Sequence, residues 1–173
     1  MTLKKLVYLI SPNKIYKNFY SDLDKVLSYK NVKFFQFRIK KKPKYFLKIA
    51  NKIKKITKKH KVKFILNDDY ILAYKIKADG CHMGQLDGPF SKARIRLKNK
   101  LLGVTCHNSK ILAKNAVINK ADYVAFGSFF KSKLKPKATK ANIDILRWAK
   151  KEIKVPIVVI GGINNLNYRK LIN

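Results

Sequence analysis

Acidic residues are scarce in this chain: nine, against 41 lysines and arginines in 173 residues, for a formal charge of +32. Such a balance would ordinarily indicate a polyanionic partner. Arginine is scarce as well. It supplies five of the 41 cations, leaving 36 lysines scattered from Lys4 to Lys170. Nucleic-acid surfaces more often cluster arginines beside exposed aromatic rings. The aromatics here lie mostly in apolar runs such as Phe34-Phe35, Phe64 and Phe129-Phe130, and read as core. Abundant Lys, Asn and Ile with little Gly is also what AT-rich coding yields without selection for binding. The expectation is no specific nucleic-acid partner, weak salt-sensitive RNA adhesion, and a preference for anionic substrates.

Other absences narrow the class. Cys81 and Cys106 stand far apart in neither metal nor redox spacing, so they read as reduced thiols. The first ten residues lack the apolar core and cleavage site of a signal peptide. No stretch approaches the length of a membrane span. These features predict a soluble, cytoplasmic protein with no membrane partner. No linker or low-complexity tail divides the chain, and 47% hydrophobic residues suffice for one sizeable core.

Seven short apolar runs are present: Leu6–Ile10, Val32–Phe37, Val62–Leu66, Gly80–Met83, Leu101–Cys106, Tyr123–Phe126 and Val155–Ile160. Their length and their Val, Ile and aromatic content predict buried strands. Helical spacing fills the gaps. Phe19, Leu23 and Leu27 recur every fourth residue, and Phe46, Ile49, Ile53 and Ile56 follow a 3,4,3 rhythm after Pro43. Further helices are expected at Tyr70–Lys75, Ser91–Lys98, Ser109–Ile118 (capped by Asn108 or Ser109), Ile143–Lys151 and Asn165–Ile172. Strands alternating with helices imply a parallel sheet with right-handed crossovers. No Gly-x-Gly-x-x-Gly follows the first strand, which disfavours a dinucleotide fold. The α/β class expected is a TIM-type (β/α)8 barrel, one domain over residues 1–173.

Seven strands leave that barrel one short, its last unit truncated or missing at the C-terminus. Strands one and seven would then expose unpaired edges, so the expectation is a longer natural chain or a partner covering the gap, with an inactive remnant as the further alternative. A homo-oligomer stays open.

The polar strings favour one end of the strands. Gln36, Arg38 and Lys40 end the second, where alternation puts them on one face. Asn67-Asp68 end the third, Gln85 and Asp87 follow the fourth, and Thr105 and His107 end the fifth. Ser128 to Lys135 follow the sixth and Gly161-Gly162 the seventh. Barrel chemistry sits at that rim. Carboxylates able to hold a hard divalent cation, with a cationic clamp, form a kit for binding a diphosphate.

In combination these strings resemble the thiamine phosphate synthase family. The resemblance rests on Gln36-x-Arg38-x-Lys40, Asn67-Asp68, Ala78-Asp79-Gly80-Cys81-His82-Met83-Gly84-Gln85-x-Asp87 and Gly103-Val104-Thr105-x-His107. Ala121-Asp122-Tyr123-Val124-x-Phe126-Gly127 and Pro156-Ile157-Val158-Val159-Ile160-Gly161-Gly162-Ile163-Asn164 continue it. It implies a magnesium-dependent transferase of thiamine biosynthesis, joining hydroxymethylpyrimidine diphosphate to hydroxyethylthiazole phosphate and releasing pyrophosphate. It implies Mg2+ on Asp68 and Asp87, and the diphosphate on Arg38, Lys40, Asn67 and Lys135. It further implies the pyrimidine against Gln36 and Thr105, and the thiazole phosphate on the Gly161 and Gly162 amides, with Ser132 supplying a hydroxyl. No nucleophile or strong general base is implied. Arg38, Lys40 and Lys135 would act electrostatically.

One loop departs from the family pattern. Lys131-Ser132-Lys133-Leu134-Lys135 stands where Pro-Thr-x-Thr-Lys is usual, and Leu134 lacks the second hydroxyl.

Plainer readings stand beside these. Asp68 or Asp69 would serve equally as a helix cap. Asp87 would suit a turn before Gly88-Pro89, and His82, His107 and both cysteines would suit structural positions. Two other functions compete: a thiazole tautomerase of the same fold using His107, and a non-catalytic barrel binding RNA or another polyanion.

Overall fold

The computed structural model describes residues 6–131 and 139–171. Seven strands alternate with helices, in chain order β1 (Val7–Ile10), α1 (Phe19–Leu27), β2 (Val32–Phe37), α2 (Phe46–Lys59), β3 (Lys63–Asn67), α3 (Tyr70–Lys75) and β4 (Gly80–Met83). Then come α4 (Phe90–Leu97), β5 (Leu101–His107), α5 (Lys110–Ile118), β6 (Tyr123–Phe126), α6 (Asp144–Glu152) and β7 (Ile157–Val159). The expected elements recur within a residue or two, with one exception. In place of a helix over Asn165–Ile172 there is a 3-10 turn, Tyr168–Leu171. The Asn164 side chain accepts from the Leu166 amide, and Asn167 Oδ1 accepts from the Asn164 amide, both at 2.9 Å. Such local side-chain bonds offer the backbone an alternative to helix.

The chain forms two compact units, Met1–His82 with Arg96–Leu101, and Met83–Ile95 with Leu102–Asn173. In the first unit β1 pairs with β2, β2 with β3 and β3 with β4, all parallel. Phe35, Phe37, Phe64, Ile65 and Leu66 are buried there, as are Leu23, Leu27, Ile49 and Ile53 of α1 and α2. In the second, β5 pairs with β6 and β6 with β7, again parallel. Leu102, Val104, Val124 and Phe126 are buried in its strands, and Ala113, Ala116, Ile145 and Ala149 in its helices. Phe129 joins the core as expected, while Phe34 and Phe130 are only half-buried. Both cysteines are buried and in no disulfide, and burial pushes the Cys106 thiol up to about 12. Among the described residues no helix is long and apolar enough to cross a membrane.

One junction is built twice, once in each unit. At the end of α3, Lys77 donates to the Tyr74 carbonyl and Ala78 to Ala73. At the end of α5, Lys120 donates to Val117 and Ala121 to Ala116. Each is the double-bonded Schellman ending. An aspartate follows. The Asp79 amide donates to the Phe64 carbonyl while its carboxylate accepts from the Phe64 amide, both at 2.9 Å. Asp122 treats Leu102 the same way, at 2.8 and 2.7 Å, and also holds Arg94. A single residue thus pins the start of β4 or β6 to the strand before it.

The residue closing these helices departs from the usual pattern. Lys61, Lys77 and Lys120 take left-handed φ values of 55°, 54° and 59°, where glycine is the ordinary choice. Lys61 closes α2 by the same bonds, to Lys58, with Val62 reaching Thr57. An L-residue with a Cβ pays roughly 1–2 kcal/mol in that conformation, part of which glycine gives back as unfolded-state entropy. Lys61→Gly, Lys77→Gly and Lys120→Gly should therefore each add about 0.5–1 kcal/mol, or a few degrees in Tm. Thermal denaturation of the three variants and their combination checks this, and an unchanged or lowered Tm throughout would refute it.

Candidate active site

The first unit brings two of the expected residues into direct contact. Gln36, next to last in β2, is 2% exposed, and its Nε2 donates to Asn67 Oδ1 at 2.7 Å. A buried amide demands a partner, and here the partner comes from the neighbouring strand's motif. Asn67 closes β3 opposite His82, whose carbonyl accepts from the Asp68 amide at 2.8 Å. Asp68 then turns left-handed, at φ 67°, with its side chain exposed. Asp tolerates that conformation better than most residues, and such outliers cluster at functional turns.

The two adjacent carboxylates have separate tasks. Asp69 caps α3, its Oδ1 accepting from the Leu72 amide at 2.8 Å, while Lys42 Nζ lies 2.6 Å from its Oδ2. Burial pushes the Asp69 carboxyl up, but the Lys42 hydrogen bond, the Leu72 amide and the nearby charges of Lys42 and Lys75 hold it below the usual carboxylate range. Capping therefore falls to Asp69 and not to Asp68.

The expected common face of Gln36, Arg38 and Lys40 needs correcting. β2 ends at Phe37, so strand alternation does not extend to Lys40, which is exposed in a bend. The reason lies at Arg38. Its amide and carbonyl both bond the hydroxyl of Ser11, which replaces the next rung of the ladder. The half-buried Arg38 side chain places Nη1 3.4 Å from Asn13 Oδ1. Ser11 and Asn13 were not among the expected residues. Ser11 stands at the end of β1 as the other polar strings stand at theirs, but carries no charge to mark it.

In the second unit Asp87 closes the turn after β4. Its Oδ2 accepts from the Gly84 amide at 2.6 Å, so one oxygen serves the turn. Gln85 Nε2 donates to the Thr105 carbonyl at 2.5 Å. Thr105 lies inside β5, with His107 ending the strand at φ 52° and accepting from the Gly127 amide. Histidine 82 is buried in β4, in keeping with a structural position.

Gly161 and Gly162, after β7, have φ values of 95° and 65°. A Cβ on Gly161 would collide with Ser128, and one on Gly162 would lie 2.5 Å from the Lys131 carbonyl oxygen. Both must be glycine. The Gly161 carbonyl accepts from Phe130, which packs this turn on the loop after β6. Among the described residues no backbone carbonyl accepts from the Gly161 or Gly162 amide. Consecutive amides in such a turn form a concavity suited to an anion. Ser132, Leu134 and Lys135 lie outside the described residues. A cavity of about 470 Å³ beside Phe129, Phe130 and Lys170 is lined by none of the expected residues.

Magnesium needs few protein ligands, often one or two carboxylates beside substrate phosphates. Among the described residues no group of three or more His, Cys, Asp or Glu is gathered for a metal. Asp68, spared from the helix cap, and Asp87, with one oxygen spent, each fit that modest requirement as hard oxygen donors.

A family model described as thiamine monophosphate synthase matches residues 7–173. A thiamine-phosphate synthase of Pelagibacter ubique (strain HTCC1062) is 56% identical over 171 residues, covering 98% of this chain and 83% of that protein. One from Erythrobacter litoralis (strain HTCC2594) is 40% identical over 172 residues, 96% of this chain and 81% of its own length. Among solved structures, the thiamine phosphate pyrophosphorylase of Pyrococcus furiosus superimposes with a TM-score of 0.84 at 27% identity, over 97% of this chain and 80% of that one. The fold class is thereby the expected TIM-type α/β barrel, with seven strands among the described residues. The chain belongs to the thiamine monophosphate synthase family, and is an enzyme of the transferase class.

Proposed function

We infer that this chain joins hydroxymethylpyrimidine diphosphate to hydroxyethylthiazole phosphate, with release of pyrophosphate. The observation that best supports this reading is the division of labour at the end of β3. Asp69, paired with Lys42, caps the helix terminus, while Asn67 is locked to Gln36 and Asp68 turns left-handed outside the cap. The left-handed turn at Asp68 puts Asp69 on the helix and leaves the Asp68 side chain off it, which fits a ligand-holding position.

The reaction asks little proton chemistry of the protein. The C–O bond to the diphosphate breaks heterolytically and pyrophosphate leaves with the electron pair. The electron-rich aminopyrimidine supports the resulting cation, and the thiazole nitrogen donates its lone pair to form the new C–N bond. Catalysis then consists of positioning the two substrates and stabilising the departing charge. Arg38 presents a guanidinium whose planar fork matches phosphate oxygens, and Lys40 adds a point charge. Gln36, oriented by Asn67, presents its remaining amide atoms to the pyrimidine, and Thr105 is assigned to the same substrate. The Gly161 and Gly162 amides receive the thiazole phosphate, with Ser132 and Lys135 assisting. Asp68 and Asp87 would hold Mg2+, which when bound neutralises charge building on the leaving diphosphate.

Thiamine phosphate formation from the purified substrates, with and without magnesium, tests the assignment. Asp68→Asn keeps tolerance of left-handed φ while removing the charge. It should lose magnesium-dependent turnover by about 10²–10³-fold, as removal of one electrostatic stabiliser does elsewhere. Arg38→Ala should fall comparably, and both should remain folded by circular dichroism. Parent-like turnover in both variants would sink these roles. Asp69→Ala makes the opposite prediction. It should cost about 1 kcal/mol of stability, as loss of a helix cap does, while turnover persists. Because the folded Asp69 carboxyl titrates below its ordinary value, its contribution is present above the unfolded pKa and disappears as pH falls through the folded one. The Tm difference between parent and Asp69→Ala should accordingly shrink in acid, and a constant difference would refute the cap assignment.

A further inference from the structure

We propose that Ser11 is a positioning residue for diphosphate recognition, acting through Arg38; this rests on the reading of Arg38 as part of the diphosphate clamp. Ser11 follows β1 directly and is 6% exposed. Its amide donates to the Gln36 carbonyl at 2.9 Å, the last rung between β1 and β2. Beyond that rung the hydroxyl takes over. It accepts from the Arg38 amide at 2.9 Å and donates to the Arg38 carbonyl at 3.2 Å. A serine hydroxyl carries one donor and two acceptor sites, and this geometry uses both functions on one residue 27 positions away.

The consequence lies in where the strand stops. A main-chain rung would commit Arg38 to the sheet, whereas a side-chain clasp holds its backbone while letting the chain bend away toward Lys40. Asn13, two residues on, meets the far end of the same side chain at Nη1. One short segment therefore restrains Arg38 at its backbone and at its guanidinium. Of five guanidinium donors, Asn13 engages one. A long cation restrained in this way surrenders less rotamer freedom when it meets a phosphate, which is how preorganisation raises affinity. Alanine at position 11 would leave the Arg38 amide and carbonyl without this partner, while threonine would retain the hydroxyl.

Ser11→Ala, Ser11→Thr, Arg38→Ala and the Ser11→Ala/Arg38→Ala double variant test the proposal. The readouts are calorimetric binding of inorganic pyrophosphate in magnesium and the KM for each substrate. Ser11→Ala should weaken pyrophosphate binding and raise the KM for the pyrimidine diphosphate about tenfold, the worth of one net hydrogen bond. The KM for the thiazole phosphate should not change, and Ser11→Thr should restore most of the loss. In the Arg38→Ala background, Ser11→Ala should cause no further loss of binding. Parent-like pyrophosphate binding by Ser11→Ala would overturn the proposal. So would an equal loss for both substrates, or an additive double variant. If Arg38→Ala itself binds pyrophosphate like the parent, the clamp reading fails first, and the proposal with it.

Discussion

Forty-one cations must be folded together with nine carboxylates, and some of those few acids occupy positions where one group organises several others. Self-repulsion at this net charge opposes compaction, so a carboxylate spent on a surface pair of small worth would be poorly used. Asp79 and Asp122 instead bond backbone. Each joins the beginning of one strand to the amide and carbonyl of a residue in the strand before it. A carboxylate accepting from a backbone amide makes a charge-assisted bond, stronger than the neutral rungs around it. Surrounding lysines add to this, as Lys63 lies 3.6 Å from Asp79.

The candidate site residues hang from these anchors. In the first unit Asp79 sets where β4 begins against β3, and that register places Asn67 opposite His82. The His82 carbonyl then receives the Asp68 amide, and the turn that follows delivers Asp69 to the helix and Asp68 to the outside. In the second, Asp122 sets β6 against β5, and the chain leaving β6 carries Ser128 and Phe130 against the glycines after β7. Exchange of an anchor would therefore move a rim residue through several rigid steps. This is the physical sense in which one end of these strands stores stability and the other carries chemistry.

Much of this could be read from the chain. Buried parallel strands are continuous apolar runs, so Val32–Phe37, Gly80–Met83 and Tyr123–Phe126 coincide with β2, β4 and β6. The rim motifs were visible because charged residues interrupt such runs at one end. Less visible was anything governed by a side chain folding back on its own backbone. Asn164 and Asn167 wind the chain into turns where periodicity suggests a helix. Ser11 stops β2 at Phe37 although the alternating pattern runs on to Lys40. Which of Asp68 and Asp69 caps α3 also lay beyond spacing, since both fit, and the choice is made by the left-handed turn at Asp68.

Four lysines, at 61, 77, 98 and 120, take left-handed φ values. Each lies within two residues of the last residue of a helix, where the macrodipole is negative and a cation is favoured by a few tenths of a kcal/mol to about 1 kcal/mol. That attraction offsets part of the conformational cost, and it is the part that dissolved ions screen within a Debye length. A glycine at the same place would carry neither the strain nor the charge. By screening that attraction, salt should loosen these helix ends slightly.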